Sequence, residues 1–130
     1  MTNSNLPLID DLYAAFRAAD YEAFTQLCHP DLEWIQNEGF PYGGHHHGPS
    51  EVIAGVFETL TRHWDGFRFD VQETLDAGDH VVVLGAYEGR HRESGKAFRA
   101  DTAHVFDIDG GRVRRFRQFT DTALVQAAVS

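Results

Sequence analysis

The feature that most constrains this chain is a change of hydrophobic period at Phe67. Before it, apolar residues recur at helical spacing. Ile9, Leu12, Tyr13 and Phe16 form one stripe, Phe24 and Leu27 a second, and Val52, Ile53, Val56, Phe57, Leu60 and Trp64 a third. From Phe67 onward the period is two, with Phe67, Phe69 and Val71 alternating with Arg68 and Asp70. Helices first and strands afterwards is the α+β pattern.

Local signals place the boundaries. Asn5 is predicted to cap the first helix, with Pro7 in its first turn. Asp20 caps the second, which His29-Pro30 stops, since a residue before proline disfavours the helical region. Leu32 to Gln36 reads as a short strand, and residues 37–48 as a Gly-rich loop. Pro49 opens the third helix, with Glu51 near its positive end. Turn signals at Asp76-Ala77-Gly78-Asp79, Glu93-Ser94-Gly95-Lys96 and Asp109-Gly110-Gly111 divide the remainder into strands at about 67–76, 79–92, 96–108 and 112–120. Turns this short imply antiparallel neighbours. A last helix runs near Thr122 to Ala128. The helices must cover one face of the meander, and solvent or a second subunit the other. The expectation is one domain over residues 1–130: an α+β fold whose curved antiparallel sheet, a short first strand plus a four-strand meander, packs on three helices around an apolar pocket.

Composition narrows the function classes. Ten Phe, four Tyr and two Trp suit a tight core or a lined cavity. The net charge of −9 repels phosphate backbones, so nucleic acid is not an expected partner. The basic stretch Arg112, Arg114, Arg115 and Arg117 is read as partner material for carboxylates. Cys28 is the single cysteine, which excludes an intramolecular disulfide. Residues 1–7 show no signal-peptide pattern, and no apolar run approaches the ~20 residues of a membrane span. A cytoplasmic protein away from membranes is expected. There is no GxSxG, P-loop, GxGxxG or HExxH, so nothing points to a cofactor.

Four stretches carry a family resemblance: LYAAFRAADYEAFTQLCHPDLEW (12–34), PYGGHHHGPSEVIAGVF (41–57), GDHVVVLGAYEGR (78–90) and AHVFDIDGGRVRRFRQFTD (103–121). In order and spacing they resemble the nuclear transport factor 2-like superfamily, in its SnoaL-like and ketosteroid isomerase-related branch. The resemblance implies a cone-shaped sheet with a pocket at its open end, and a homodimer formed through the sheet. Sites vary on this scaffold, so it does not imply one reaction.

His104 is the sharpest candidate for chemistry. It stands in a strand where Phe98, Ala100, Thr102, His104 and Phe106 share one face, so it either has a partner in the core or enters a cavity. SnoaL-like cyclases carry a pocket His at the matching position, and a His there can move a proton near neutral pH. The position of Gln118 matches the Asp general base of the family's polyketide cyclases. Glutamine cannot take that proton, but can orient a carbonyl or a water. If Asp109-Gly110-Gly111 is a three-residue loop, His104 faces Phe116, Thr102 faces Gln118, and all four share a face. A two-residue loop would send His104 and Gln118 to opposite faces. Asp101 and Asp121 are the carboxylates left to act as acids, Asp101 being counted with His104 and Gln118 as catalytic. A solvated carboxylate beside an arginine is the plainer reading of both.

Tyr13, Trp34, Tyr42, Phe57, Thr102 and Phe116 are the expected pocket residues for a flat apolar ligand, with Tyr42 at the rim. His45-His46-His47 invites a metal reading, but adjacent histidines do not converge easily on one ion, and a solvated loop is expected. Three functions stay open: a cofactor-independent isomerase, dehydratase or hydrolase on a small hydrophobic molecule, a non-catalytic ligand-binding domain, and a dimerisation module.

Overall fold

The computed structural model describes residues 4–130; residues 1–3 of the polar start lie outside it. Helix α1 (Leu6–Ala18) and helix α2 (Tyr21–Leu27) lead into strand β1 (Cys28–Ile35). Asp20 caps α2 as expected, its carboxylate accepting from the Ala23 N–H at 3.1 Å. Asn5 precedes α1 but does not cap it. Its side-chain N–H₂ donates to the Gly78 carbonyl at 2.9 Å, and the Ser4 hydroxyl accepts from the Leu6 N–H instead. The amide thereby tethers α1 to a strand turn.

Two differences from expectation concern β1. It pairs with the last strand in parallel, so the sheet is not wholly antiparallel. Its register also shifts between Cys28 and Glu33, around Pro30, which has no N–H to give to a ladder. The second difference is a strand where a loop was predicted. β2 (His45–His47) runs antiparallel to β1, with His46 opposite Trp34. The ladder uses backbone groups, so an all-polar triplet carries no hydrophobic period to announce it.

The third helical stretch is α3 (Pro49–Val52), a π-helical turn (Ile53–Phe57) and α4 (Glu58–His63) in direct succession. Trp64 does not extend the helix; it begins β3. The His46 ring lies against this turn, where a Cβ on Gly55 would collide with His46 Cε1 and Nδ1. Only glycine fits there without displacing the imidazole.

The meander follows as β3 (Trp64–Ala77), β4 (His80–His91), β5 (Ala97–Asp109) and β6 (Arg112–Thr120), and α5 (Thr122–Val129) closes the chain. The six-stranded order is β2-β1-β6-β5-β4-β3. β3 carries two register shifts, between Asp65 and Arg68 and between Val71 and Glu73. Bulges of this kind bend a strand and increase its twist, and here they curl the sheet around the helices.

The β5–β6 turn corrects the expected register. Its loop is two residues, Gly110 and Gly111, both at positive φ as a type I′ hairpin requires. That loop alone would put His104 and Gln118 on opposite faces. A bulge at Arg114 adds one residue to β6, so Ile108 pairs with Val113 but Asp107 pairs with Arg115. Parity is restored. His104 stands opposite Gln118, Phe106 opposite Phe116 and Thr102 opposite Thr120.

The concave face and the helices enclose a large apolar cluster that includes Ile9, Leu12, Phe24, Trp34, Val52, Phe57, Phe106 and Phe116. A smaller one joins Phe40, Trp64, Tyr87 and Ala100 to Val125 and Ala128 of α5. The outer face carries charged pairs beside apolar residues such as Leu75 and Phe119. Arg68 and Arg99 pair with Glu88 and Asp70, and Asp107 pairs with His80, Arg115 and Arg117. The basic stretch of β6 thus meets carboxylates, as the sequence suggested. No helix among the described residues is long and apolar enough to cross a membrane.

Candidate functional site

A cavity of about 440 Å³ lies between the concave sheet and the helices. Its walls are aromatic because inward positions of five strands and of α1, α2 and the π-helical turn carry rings. Trp34 stacks on its cross-strand partner Phe116 at 3.8 Å between centroids, and Phe57 meets Trp34 edge-on at 5.8 Å. Such offset and edge contacts are the favoured geometries of aromatic pairs.

His104 lines this cavity, 4 % exposed. Phe69 stacks on its ring at 4.1 Å and Phe116 meets it at 69°. Both ring nitrogens are engaged, Nδ1 with the Tyr13 hydroxyl at 2.7 Å and Nε2 with the Tyr87 hydroxyl at 2.6 Å. Gln118 Nε2 donates to that Tyr87 oxygen at 2.9 Å.

Donor counting orients the chain. The Tyr87 oxygen receives the Gln118 amide, so its own proton goes to His104 Nε2. His104 then carries its proton on Nδ1 and donates it to the Tyr13 oxygen. The reverse order would turn the Gln118 amide so that its oxygen accepts the Tyr87 proton, and would leave its buried N–H₂ rather than its carbonyl without a partner, the rarer arrangement in folded proteins. The adopted order leaves the Tyr13 O–H free, and Tyr13 lines the cavity.

Burial governs the protonation states. Desolvation lowers the His104 pKa to about 3, so the imidazole is neutral at ordinary pH. Burial pushes both the Tyr13 and Tyr87 phenols well above the ordinary tyrosine range, and neither ionises near neutrality. Cys28 is likewise pushed up to about 12 by burial and is an inert thiol. The Gln118 carbonyl oxygen, Oε1, is buried without a partner. The site is therefore a chain of neutral groups, able to donate hydrogen bonds but poor at holding a charge.

The structure brings together Tyr13, Trp34, Phe57, His104 and Phe116 on the cavity wall. Gln118 is not part of the lining; it sits 3 % exposed and reaches the site through Tyr87. Thr102 is buried outside the lining, its hydroxyl bonded to the Ala100 carbonyl and the Thr120 hydroxyl at 2.9 and 2.8 Å. Asp101 is exposed and alternates onto the outer face, away from His104, because its neighbours Ala100 and Thr102 turn inward. Asp121 is exposed just ahead of α5. Tyr42 also lies outside the lining. It stacks on His63 at 3.8 Å, and its hydroxyl bonds His91 Nε2 at 2.9 Å, holding the 36–44 loop to the end of β4. Among the described residues, no group of three or more His, Cys, Asp or Glu is placed to hold a metal ion.

Tyr87 is the residue that sequence reasoning missed. It shares the inward parity of Val81 and Val83 on β4, a signal that was present. Its backbone partner, however, is Ala100, four residues from His104 on β5, and only the length of its side chain along the sheet closes the gap.

Comparison with known proteins agrees with this architecture. A family profile described as the SnoaL-like domain matches residues 9–116. A nuclear transport factor 2-like protein from Burkholderia thailandensis is 36 % identical, with a TM-score of 0.93 and 99 % of each chain covered. TerC, crystallised with polyporic acid, is 27 % identical with a TM-score of 0.85, covering 96 % of this chain and 97 % of its own. An uncharacterised protein of Mycobacterium tuberculosis is 25 % identical over 117 residues, 90 % of this chain and 88 % of that protein.

Proposed function

The chain belongs to the SnoaL-like family, and from that premise we propose that it works on a small, flat, hydrophobic molecule held in the cavity. Its chemistry would be that of a cofactor-independent isomerase, dehydratase or hydrolase. The observation that carries this reading is the hydrogen-bonded chain Gln118–Tyr87–His104–Tyr13, whose last member lines an apolar cavity; donor counting leaves the Tyr13 proton free there. A proton donor aimed at a carbonyl from a dry wall stabilises negative charge as it develops on oxygen. In this scheme Tyr13 contacts the substrate. His104 fixes Tyr13 and can relay a proton, and Gln118 positions Tyr87. TerC, a relative crystallised with polyporic acid, supports a small-molecule ligand for the fold. A cytoplasmic location remains part of the proposal.

A second reading is a binder without turnover. It is favoured by the absence of any Asp or Glu from the cavity lining and by the weak basicity of His104. The two separate cleanly. Wild type, Tyr13→Phe and His104→Gln are screened against carbonyl, epoxide and enone libraries, with binding and turnover measured in parallel. Catalysis predicts turnover lost in both variants while binding is retained. Binding by wild type with no turnover on any library leaves the binder.

A further inference from the structure

We propose that the cavity's ligand carries an anionic group beside its flat ring system, and that Arg17 receives that group at the mouth. The inference rests on reading the cavity as a small-molecule site. Among the lining residues, the exposed ones are Arg17, Ala19, Thr61, Gly66, Arg68 and Arg92. They form the rim, since the rest of the lining is buried or half-buried. Half of this rim is arginine. Among the described residues no Asp or Glu lines the cavity, although the chain carries 20 acidic residues against 11 basic ones.

The three arginines are not equivalent. Arg68 is neutralised by Asp70 and Glu88. Arg92 pairs with Asp65, and its Nε donates to the Thr61 carbonyl at 3.1 Å. Arg17 makes no ion pair among the described residues. It occupies the last turn of α1, where the helix dipole favours a cation. The dipole explains why a lone cation is stable there, while the lining places that cation at the mouth of the cavity.

The ligand chemistry follows from the two ends of the cavity. The interior is walled by Trp34, Phe57, Phe69 and Phe116 and offers only neutral hydrogen-bonding groups, so a charge is not accommodated there. The rim offers a guanidinium fork, which matches the geometry of a carboxylate. A protein of net charge −9 repels anions at long range. Arg17, uncompensated at the mouth, offsets that repulsion where the ligand enters. An amphipathic aromatic acid, ring inside and carboxylate at the rim, satisfies both ends.

Calorimetric titration with 2-naphthoate and with its methyl ester tests this. Wild type is expected to bind the carboxylate about twofold to fivefold more tightly, the upper range of an exposed ion pair. Arg17→Gln should abolish the preference without weakening the ester, and Arg17→Lys should keep most of it. Arg112→Gln, at the distant β5–β6 turn, should change neither probe. Equal affinities in wild type, or a preference that survives Arg17→Gln, overturn the anionic inference and leave the small-molecule reading intact. Failure of both probes to bind overturns the two together.

Discussion

At the scale of single residues, His104 behaves unlike a surface histidine. Five rings and two hydroxyls surround it, and removal from water outweighs the ordinary tendency of an imidazole to protonate near pH 6.5. The consequence for stability has a definite sign. The folded pKa, about 3, lies below the unfolded value, so between them only the unfolded chain binds the proton. This contribution is fully present above about pH 6.5 and is lost as the pH falls toward 3, at up to about 1.4 kcal/mol per pH unit. His104→Gln should remove that part of the slope. Urea unfolding of both proteins at pH 7.5, 6 and 5 measures it. A variant whose stability falls with acid as steeply as wild type would contradict the assignment. Gln118 stands where the resemblance implied a carboxylate base in the family's cyclases. Its neutrality suits a site that desolvates everything around it.

At the scale of elements, two local irregularities set the geometry. The bulge at Arg114 returns Gln118 to the face of His104 after a two-residue turn would have parted them. The π-helical turn at Ile53–Phe57 brings Gly55 against His46, tying the edge strand β2 to the third helical stretch. Gly55→Ala should therefore cost about 1–3 kcal/mol, the usual range for overpacking. Most of that loss should vanish in a His46→Ala background, where the methyl group has room. Chemical denaturation of the four proteins in a double-mutant cycle provides the measurement. Equal costs in both backgrounds would show that the imidazole contact is not the reason.

At the scale of the whole molecule, the sheet has two faces with different tasks. The concave face walls the cavity. On the outer face, strand alternation sets Leu75, Val82, Leu84, Ala103, Val105 and Phe119 between flanking charged pairs, and Leu75 and Phe119 are 43 % and 49 % exposed. A contiguous apolar band on a sheet needs a cover. We propose that a second copy provides it, in the homodimer that the family resemblance implies. Phe119→Glu should then shift the protein from dimer to monomer in sedimentation velocity while leaving its circular dichroism unchanged. A wild type that sediments as a monomer at micromolar concentration would refute the proposal.

The sequence by itself determined the helices-then-strands order, because the period of buried residues must match the backbone that carries them. It also marked His104, since a polar residue in an apolar alternation stands out wherever the strand pairs. It could not reveal β2, whose ladder is made of backbone groups, nor the parallel β1–β6 pairing, which no local turn encodes. It could not place Asp101, Thr102 and Tyr42 relative to the cavity, because alternation gives a face but not what lies beyond it. Tertiary structure alone decided the hydrogen-bonded chain. Tyr13 comes from a helix, and Tyr87, His104 and Gln118 from three strands, and only the curl of the bulged sheet over α1 brings their polar atoms within bonding distance.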